Sequence, residues 1–235
     1  MTQVLLCGAA IVTLSMGIRH GFGLWLQPIT QAQSWTRETF AFAIAVQNIS
    51  WGLFGIFAGM LADRYGAFRV LIIGALCYAL GLAGMALSTT PWMFMLTTGV
   101  LIGASQAGTT YAVVYGVIGR NVAPERRSWA MGVAAAAGSF GQFMMVPVES
   151  GLIGSLGWQT ALFALAAAAL AIIPLSLGLR EPASATASQP GQQSILDEPR
   201  AGAALFHRGA GELDAHICRQ RQVSDGALQA LPERG

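Results

Sequence analysis

Six long apolar stretches, set apart by short polar or charged interruptions, fill the first three quarters of the chain. They run over Val4–Ile29, Phe40–Leu61, Val70–Leu87, Trp92–Ile118, Trp129–Leu152 and Trp158–Leu179. Each is near or above the roughly 20 residues that a helix needs to cross a hydrocarbon core of about 30 Å. Lipid offers no partner to an unpaired backbone N–H or C=O, so each stretch predicts a helix. The connections Thr30–Thr39, Ala62–Arg69, Ser88–Pro91, Gly119–Ser128 and Ile153–Gly157 carry the turn and charge signals. The expected fold is all-α and integral to a membrane, with six transmembrane helices over residues 1–180.

Residues 181–235 differ. Glu181 to Gly235 is rich in Ala, Gln, Gly, Pro and charge, and its best apolar stretch is only Ala201–Phe206. Such composition buries too little surface to offset chain entropy. A mostly disordered tail is expected, with a short helix near Gly209–Arg221.

Polar residues inside the apolar stretches are unevenly shared. The first carries Arg19 and His20, with Met16, Gly23 and Gln27 on the same side. The second carries Gln47, Asn48 and Trp51. The fourth carries Ser105, Gln106, Thr109, Thr110, Tyr111 and Tyr115, and the fifth Ser139, Gln142 and Glu149. The third offers only Cys77 and Tyr78, and the sixth is nearly pure Ala, Leu and Ile with Pro174 late in it. That split predicts two three-helix repeats whose third members face lipid. The polar residues of the other four would line a cavity or hold helices together by hydrogen bonds.

Arg19 is the sharpest of them. An Arg within a membrane helix costs about 2.5–3.5 kcal/mol on the lenient insertion scale, so it faces a cavity or a partner. It is either an anion-binding charge or a structural ion pair, with Glu149 as the candidate acid. Small residues recur at helix-packing spacing at Gly17/Gly21, Gly55/Gly59, Gly99/Gly103 and Gly138/Gly141.

Composition supports this picture and narrows it. The chain is 54% hydrophobic and only 10% charged, against about 25% charged for soluble domains. It contains no Lys, and the net charge of +2 is too small and dispersed for nucleic acid. Arg64, Arg69, Arg120, Arg126, Arg127 and Arg180 fall in one set of connections and Arg37 alone in the other. The bias predicts a cytoplasmic N-terminus and tail. Trp35, Trp92 and Trp158 fall near the outer helix ends, where interfacial aromatics belong. Cys7, Cys77 and Cys218 suit neither a disulfide framework nor a metal site, and His216-x-Cys218 reads as incidental. No nucleophile–base pair, metal cluster or phosphate loop is present, so neither an enzyme nor a cofactor is expected.

The stretch Gly59-Met-Leu-Ala-Asp-Arg-Tyr-Gly-Ala-Phe-Arg69 resembles the loop between helices 2 and 3 of the major facilitator superfamily. With it, Gly17-Ile-Arg-His-Gly-Phe-Gly23, Ser34-Trp-Thr-Arg-Glu-Thr-Phe40, Pro124-Glu-Arg-Arg127 and Gly138-Ser-Phe-Gly-Gln142 resemble its oxalate/formate antiporter and monocarboxylate transporter branch. The resemblance covers the N-terminal six-helix half and implies inverted 3+3 repeats. It implies secondary transport of small organic anions by alternating access in a cell (inner) membrane. Arg19, His20, Gln47, Asn48, Trp51, Gln106, Thr109, Thr110 and Gln142 would bind substrate. Gly59, Asp63, Arg64, Gly66 and Arg69 would form the gating motif, with Glu125, Arg126 and Arg127 as partners of Asp63 and Arg64. The family often has further basic residues where Ala67 and Phe68 stand, which implies a weaker latch. Family members have twelve helices, so the chain reads as a truncated or frame-shifted product whose transport is incomplete. The alternatives are a half-size carrier working as a homodimer and a non-transporting membrane protein with a regulatory tail. The expected partners are membrane lipid, a small anion, and a second copy or missing half.

Overall fold

Six helical rods pack side by side in a computed structural model that describes residues 2–179. They are α1 (Gln3–Gln33), α2 (Arg37–Tyr65), α3 (Ala67–Leu87), α4 (residues 91–121), α5 (Pro124–Leu156) and α6 (Trp158–Leu177). There is no strand among the described residues. Five rods are continuous and apolar enough to cross a membrane by length and composition. The sixth, α4, is interrupted. It passes through a π-helical stretch at Met95–Leu101 and breaks between Thr109 and Tyr111, where Thr110 is extended at φ −110° and ψ −160°. In α1 the chain tightens into a 3₁₀ turn at Gly21–Trp25. The expectations for Arg180, for the tail at 181–235 and for His216-x-Cys218 lie outside the described residues.

Helix ends follow local chemistry. Thr36 caps α2 by accepting from the Thr39 N–H at 3.4 Å, with Glu38 in the first turn. Thr90 caps α4 by accepting from the Met93 N–H at 3.3 Å, just before Pro91. Reversals are shorter than the sequence suggests. Gly59–Tyr65 still belong to α2 and Ala67–Arg69 to α3, so Gly66 alone, at φ +89°, makes the turn. Gly157, at φ +79°, does the same between α5 and α6. Only a residue without a Cβ takes such angles cheaply.

Alternate connections gather at opposite ends. Trp35, in the α1–α2 turn, packs edge-on against Phe94 of α4 at 5.4 Å. Gln159 of α6 donates to the Ala86 carbonyl of α3 at 3.3 Å. The Trp35, Trp92 and Trp158 end is therefore one face of the bundle. At the other, Arg120 of α4 reaches Asp63 of α2 at 2.9 Å.

The most extensive contacts join α1 with α5, α2 with α4, and α3 with both α4 and α6. Exchanging the first three rods for the last three maps the α1–α5, α2–α4 and α3–α6 pairs onto one another, as two structural repeats require, while the α3–α4 contact has only a slighter α6–α1 counterpart. The α1–α5 seam is closed by glycines. A Cβ at Gly17 would meet Met145 and the Gly141 carbonyl, one at Gly141 would strike the Thr13 backbone, and one at Gly21 would strike the Glu149 carboxylate. The α2–α4 seam closes likewise, with Gly103 against the Gln47 carbonyl at 2.6 Å and Gly99 against Val46 at 2.9 Å. These contacts bear out three of the four small-residue pairs. Nothing stands within 4 Å of a Cβ at Gly55 or Gly59, nor at Gly52.

One expectation holds only in part. α3 is the most enclosed of the five continuous rods, with Leu71, Ala75, Tyr78, Leu82 and Met85 buried, while Ile73, Leu76, Leu80 and Leu87 form an exposed apolar face. It is apolar because one side is core, wedged among α2, α4 and α6, and the other is open. The large exposed apolar faces lie on α2 and α5.

Candidate functional site

Arg19 lies in the last turn of the regular part of α1, which ends at His20 just before the 3₁₀ turn. The turn redirects the chain, and Arg19 lies toward α2. Its Nη2 donates to Asn48 Oδ1 at 2.5 Å, and its guanidinium lies over the Trp51 ring, 4.4 Å from the centroid. Asn48 is itself oriented, since its Nδ2 donates to the Ile44 carbonyl at 2.8 Å. Trp51 Nε1 donates to Thr110 Oγ1 at 3.3 Å. One polar chain thus links α1, α2 and the broken point of α4.

That break has a physical role. An unwound turn inside a span is tolerated only where protein or a cavity meets its backbone. Here the Thr110 hydroxyl becomes available to hold Trp51, and Trp51 in turn supports the cation by its ring face. Arg19 has no ion-pair partner among the described residues, and its Nε is buried without a hydrogen-bond partner there. A guanidinium carries five donors, of which Asn48 takes one. What this arrangement can do chemically is accept an anion, most favourably a planar carboxylate that uses two N–H groups at once.

The remaining candidates sort into three places. His20 is exposed next to Arg19, and Gln142 is half-buried on α5. Gln47 is buried beside the α2–α4 seam with Nε2 unpartnered. Gln106 and Thr109 belong to a buried network. Ser15 and Thr109 hydroxyls lie 2.9 Å apart, Tyr78 O–H donates to the Ser15 carbonyl at 3.4 Å, and Gln106 Nε2 donates to Tyr78 at 3.4 Å. Neither side chain lines an open cavity, because both are fully buried among α1, α3 and α4. Of the expected binding residues, Arg19, Asn48, Trp51 and Thr110 are brought together.

Glu149 does not pair with Arg19. It is fully buried in the α1–α5 seam and accepts from Trp25 Nε1 at 2.9 Å. Pairing fails because the 3₁₀ turn brings Trp25 to the seam while Arg19 lies toward α2. Trp25 and Ser15 escaped sequence reasoning, and Tyr78 stood out only as an exception on an apolar stretch. Each has a polar tip on a mostly apolar stretch, and only a partner distant in sequence gives that tip a purpose.

At the other end of the bundle, Asp63 pairs with Arg120, not with Arg126 or Arg127. Arg127 instead donates through Nε to the Val122 carbonyl at 3.0 Å. α4 continues to Asn121, which carries Arg120 alongside the end of α2. Asp63 is 74% exposed, so the pair contributes about 0–1 kcal/mol. Arg64 and Arg69 are exposed and form no ion pair among the described residues. No group of three or more metal-ligating side chains occurs among the described residues.

A family model described as Major Facilitator Superfamily matches residues 5–223. Among curated relatives, Monocarboxylate transporter 11 of Mus musculus is 28% identical over 73% of this chain and 38% of its own length. Multidrug resistance protein MdtL of Escherichia coli is 24% identical over 85% of the chain and 49% of its own length. Multidrug resistance protein MdtH of Proteus mirabilis is 40% identical, over 27% of the chain and 16% of its own length. The matched region spans less than half the length of each of these relatives.

Proposed function

Because the chain belongs to the Major Facilitator Superfamily, we propose that it serves in carrying small organic anions across a membrane by alternating access. It is a multi-pass membrane protein from a family of transporters, not of enzymes. The observation that carries the substrate class is Arg19, a cation within a span, held by Asn48 and Trp51 and lacking a carboxylate partner among the described residues. A monocarboxylate or dicarboxylate supplies the missing countercharge and relieves the cost of keeping the guanidinium there. The similarity to Monocarboxylate transporter 11 supports the same class. Positive-inside bias supports a cytoplasmic position for the Asp63 and Arg120 end, and on that reading the pair is part of the gate. An inner-membrane location and antiport belong to the same reading.

Full function needs a second six-helix unit over the open faces of α2 and α5. Asn48, Gly52, Gly55 and Gly59 follow one helical stripe of α2, and the three glycines have nothing against them. A polar and glycine stripe suits close helix contact better than lipid. The unit is a further segment or a second copy of this chain, and cross-linking in membranes separates the two.

The test is uptake of radiolabelled small carboxylates into proteoliposomes, with the chain supplied alongside its second unit. Arg19→Ala is expected to abolish uptake while insertion and helical content stay unchanged. Arg19→Lys is expected to retain part of it, because charge survives and the planar fork is lost. The competing reading is efflux of larger apolar compounds, as the names of the multidrug resistance relatives suggest. It predicts transport of such compounds that is indifferent to Arg19→Ala.

A further inference from the structure

Between α2 and α3, on the side away from Arg19, the bundle opens a groove of about 200 Å³. Phe57 and Leu61 of α2 face Ile73 and Cys77 of α3 across it, and Ser105 and Gly108 of α4 form its floor. The floor exists because α3 and α4 meet through glycines. A Cβ at Gly74 would press on Thr109 at 2.8 Å, and one at Gly108 would press on the Val70 carbonyl at 3.3 Å. Ser105, the one polar lining side chain, donates its hydroxyl to the Ile102 carbonyl at 2.7 Å. The groove therefore presents no unmet polar group along its length.

Its end is different. Phe57, Leu61 and Arg64 follow one stripe of α2 at spacings of four and three residues. Cys77, Ile73 and Arg69 follow one stripe of α3 at spacings of four. Each groove wall thus runs into an exposed arginine that no acid neutralises among the described residues. Asp63, the nearest acid in sequence, is engaged by Arg120. Phe54 to Leu61 spans two helical turns, roughly 10 Å, against roughly 15 Å for one leaflet's half of the hydrocarbon core. The alkyl wall and the charged end match one leaflet's depth and one lipid's polarity.

We propose that this groove binds one anionic glycerophospholipid, with an acyl chain along Phe57, Leu61, Ile73 and Cys77 and the phosphate between Arg64 and Arg69. A basic pair at the end of an apolar cleft between transmembrane helices is the chemistry that selects anionic head groups. The assignment is independent of the Arg19 site and stands whether or not the chain carries anions.

The experiment uses the full chain in mixed bilayers with chain-spin-labelled phosphatidylglycerol or phosphatidylcholine, reading the motionally restricted fraction of each. The wild type is expected to favour phosphatidylglycerol by about tenfold, the discrimination two arginines near the surface can supply after screening. Arg64→Gln with Arg69→Gln is expected to bring the ratio close to one with helical content unchanged. Ile73→Trp, which fills the groove from its exposed rim, is expected to release both lipids. Equal restriction of the two lipids by the wild type, or a preference that survives loss of both arginines, overturns the assignment. So does release of the label by inorganic phosphate alone, or a groove closed by a second copy in cross-linked membranes.

Discussion

Gly17/Gly21 and Gly55/Gly59 have the same spacing in sequence and opposite surroundings in space. The first pair lies in the α1–α5 seam, where a Cβ on either glycine would strike Met145 or Glu149. The second lies on α2 with nothing within 4 Å of either position. In the seam, glycine allows two backbones to come close enough to bury a carboxyl group and bond it to Trp25. On α2 it leaves a flat stripe flanked by exposed Leu53, Ile56 and Met60. A small-residue motif says that close approach is possible, and only a partner makes it real.

The largest expected effect tests the closed seam. Gly141→Val drives a side chain into the Thr13 backbone, which cannot rotate away. A loss of about 3 kcal/mol is expected in denaturant unfolding of the full chain in detergent. A loss equal to that of Gly55→Val would erase the contrast between the two surfaces. Next comes Trp25→Phe, which removes the donor to Oε2 of the buried Glu149, whose Oε1 already has no partner among the described residues. It should cost about 2 kcal/mol, and Trp25→Phe in a Glu149→Leu background should cost clearly less. Additive losses would show that the hydrogen bond does not hold the seam. The smallest effect is on the open stripe. Gly55→Ala should leave stability unchanged or raise it by about 0.5 kcal/mol, through lower backbone entropy in the unfolded chain. If the same substitution halves uptake once a second unit is present, the stripe is that unit's docking surface.

Much of the architecture was legible before any coordinates. Six apolar lengths, short connections and the arginine bias follow from the solvent, because lipid penalises every unpaired backbone group. Arg19, Asn48, Trp51 and Thr110 could be singled out because each is conspicuous in an apolar run. The reasons for failure elsewhere are equally physical. α3 lacks polar residues, which in a membrane protein fits both a lipid face and a packed core, and α3 has both, with Tyr78 and Leu82 buried and Ile73 and Leu80 exposed. Gln106 and Thr109 read as cavity residues, yet Tyr78 takes the Gln106 amide N–H and Ser15 meets the Thr109 hydroxyl within the core. Glu149 and Arg19 share a region of the sequence pattern, but the 3₁₀ turn at Gly21–Trp25 directs them to different neighbours. Asp63 could not be matched to Arg120 without knowing that α4 runs on to Asn121.

Gly66 and Gly157 occupy equivalent places in the two three-rod units, each the whole of a reversal. A one-residue joint has no slack. If α2 tilts, its end drags the start of α3 through the same displacement, and α5 drags α6 in the same way. The third rods, packed against each other, then act as a shared axle that both outer pairs must turn together. Motion in such a body is a swing of the whole bundle, and lengthening either joint by a few flexible residues would uncouple the lever from its load.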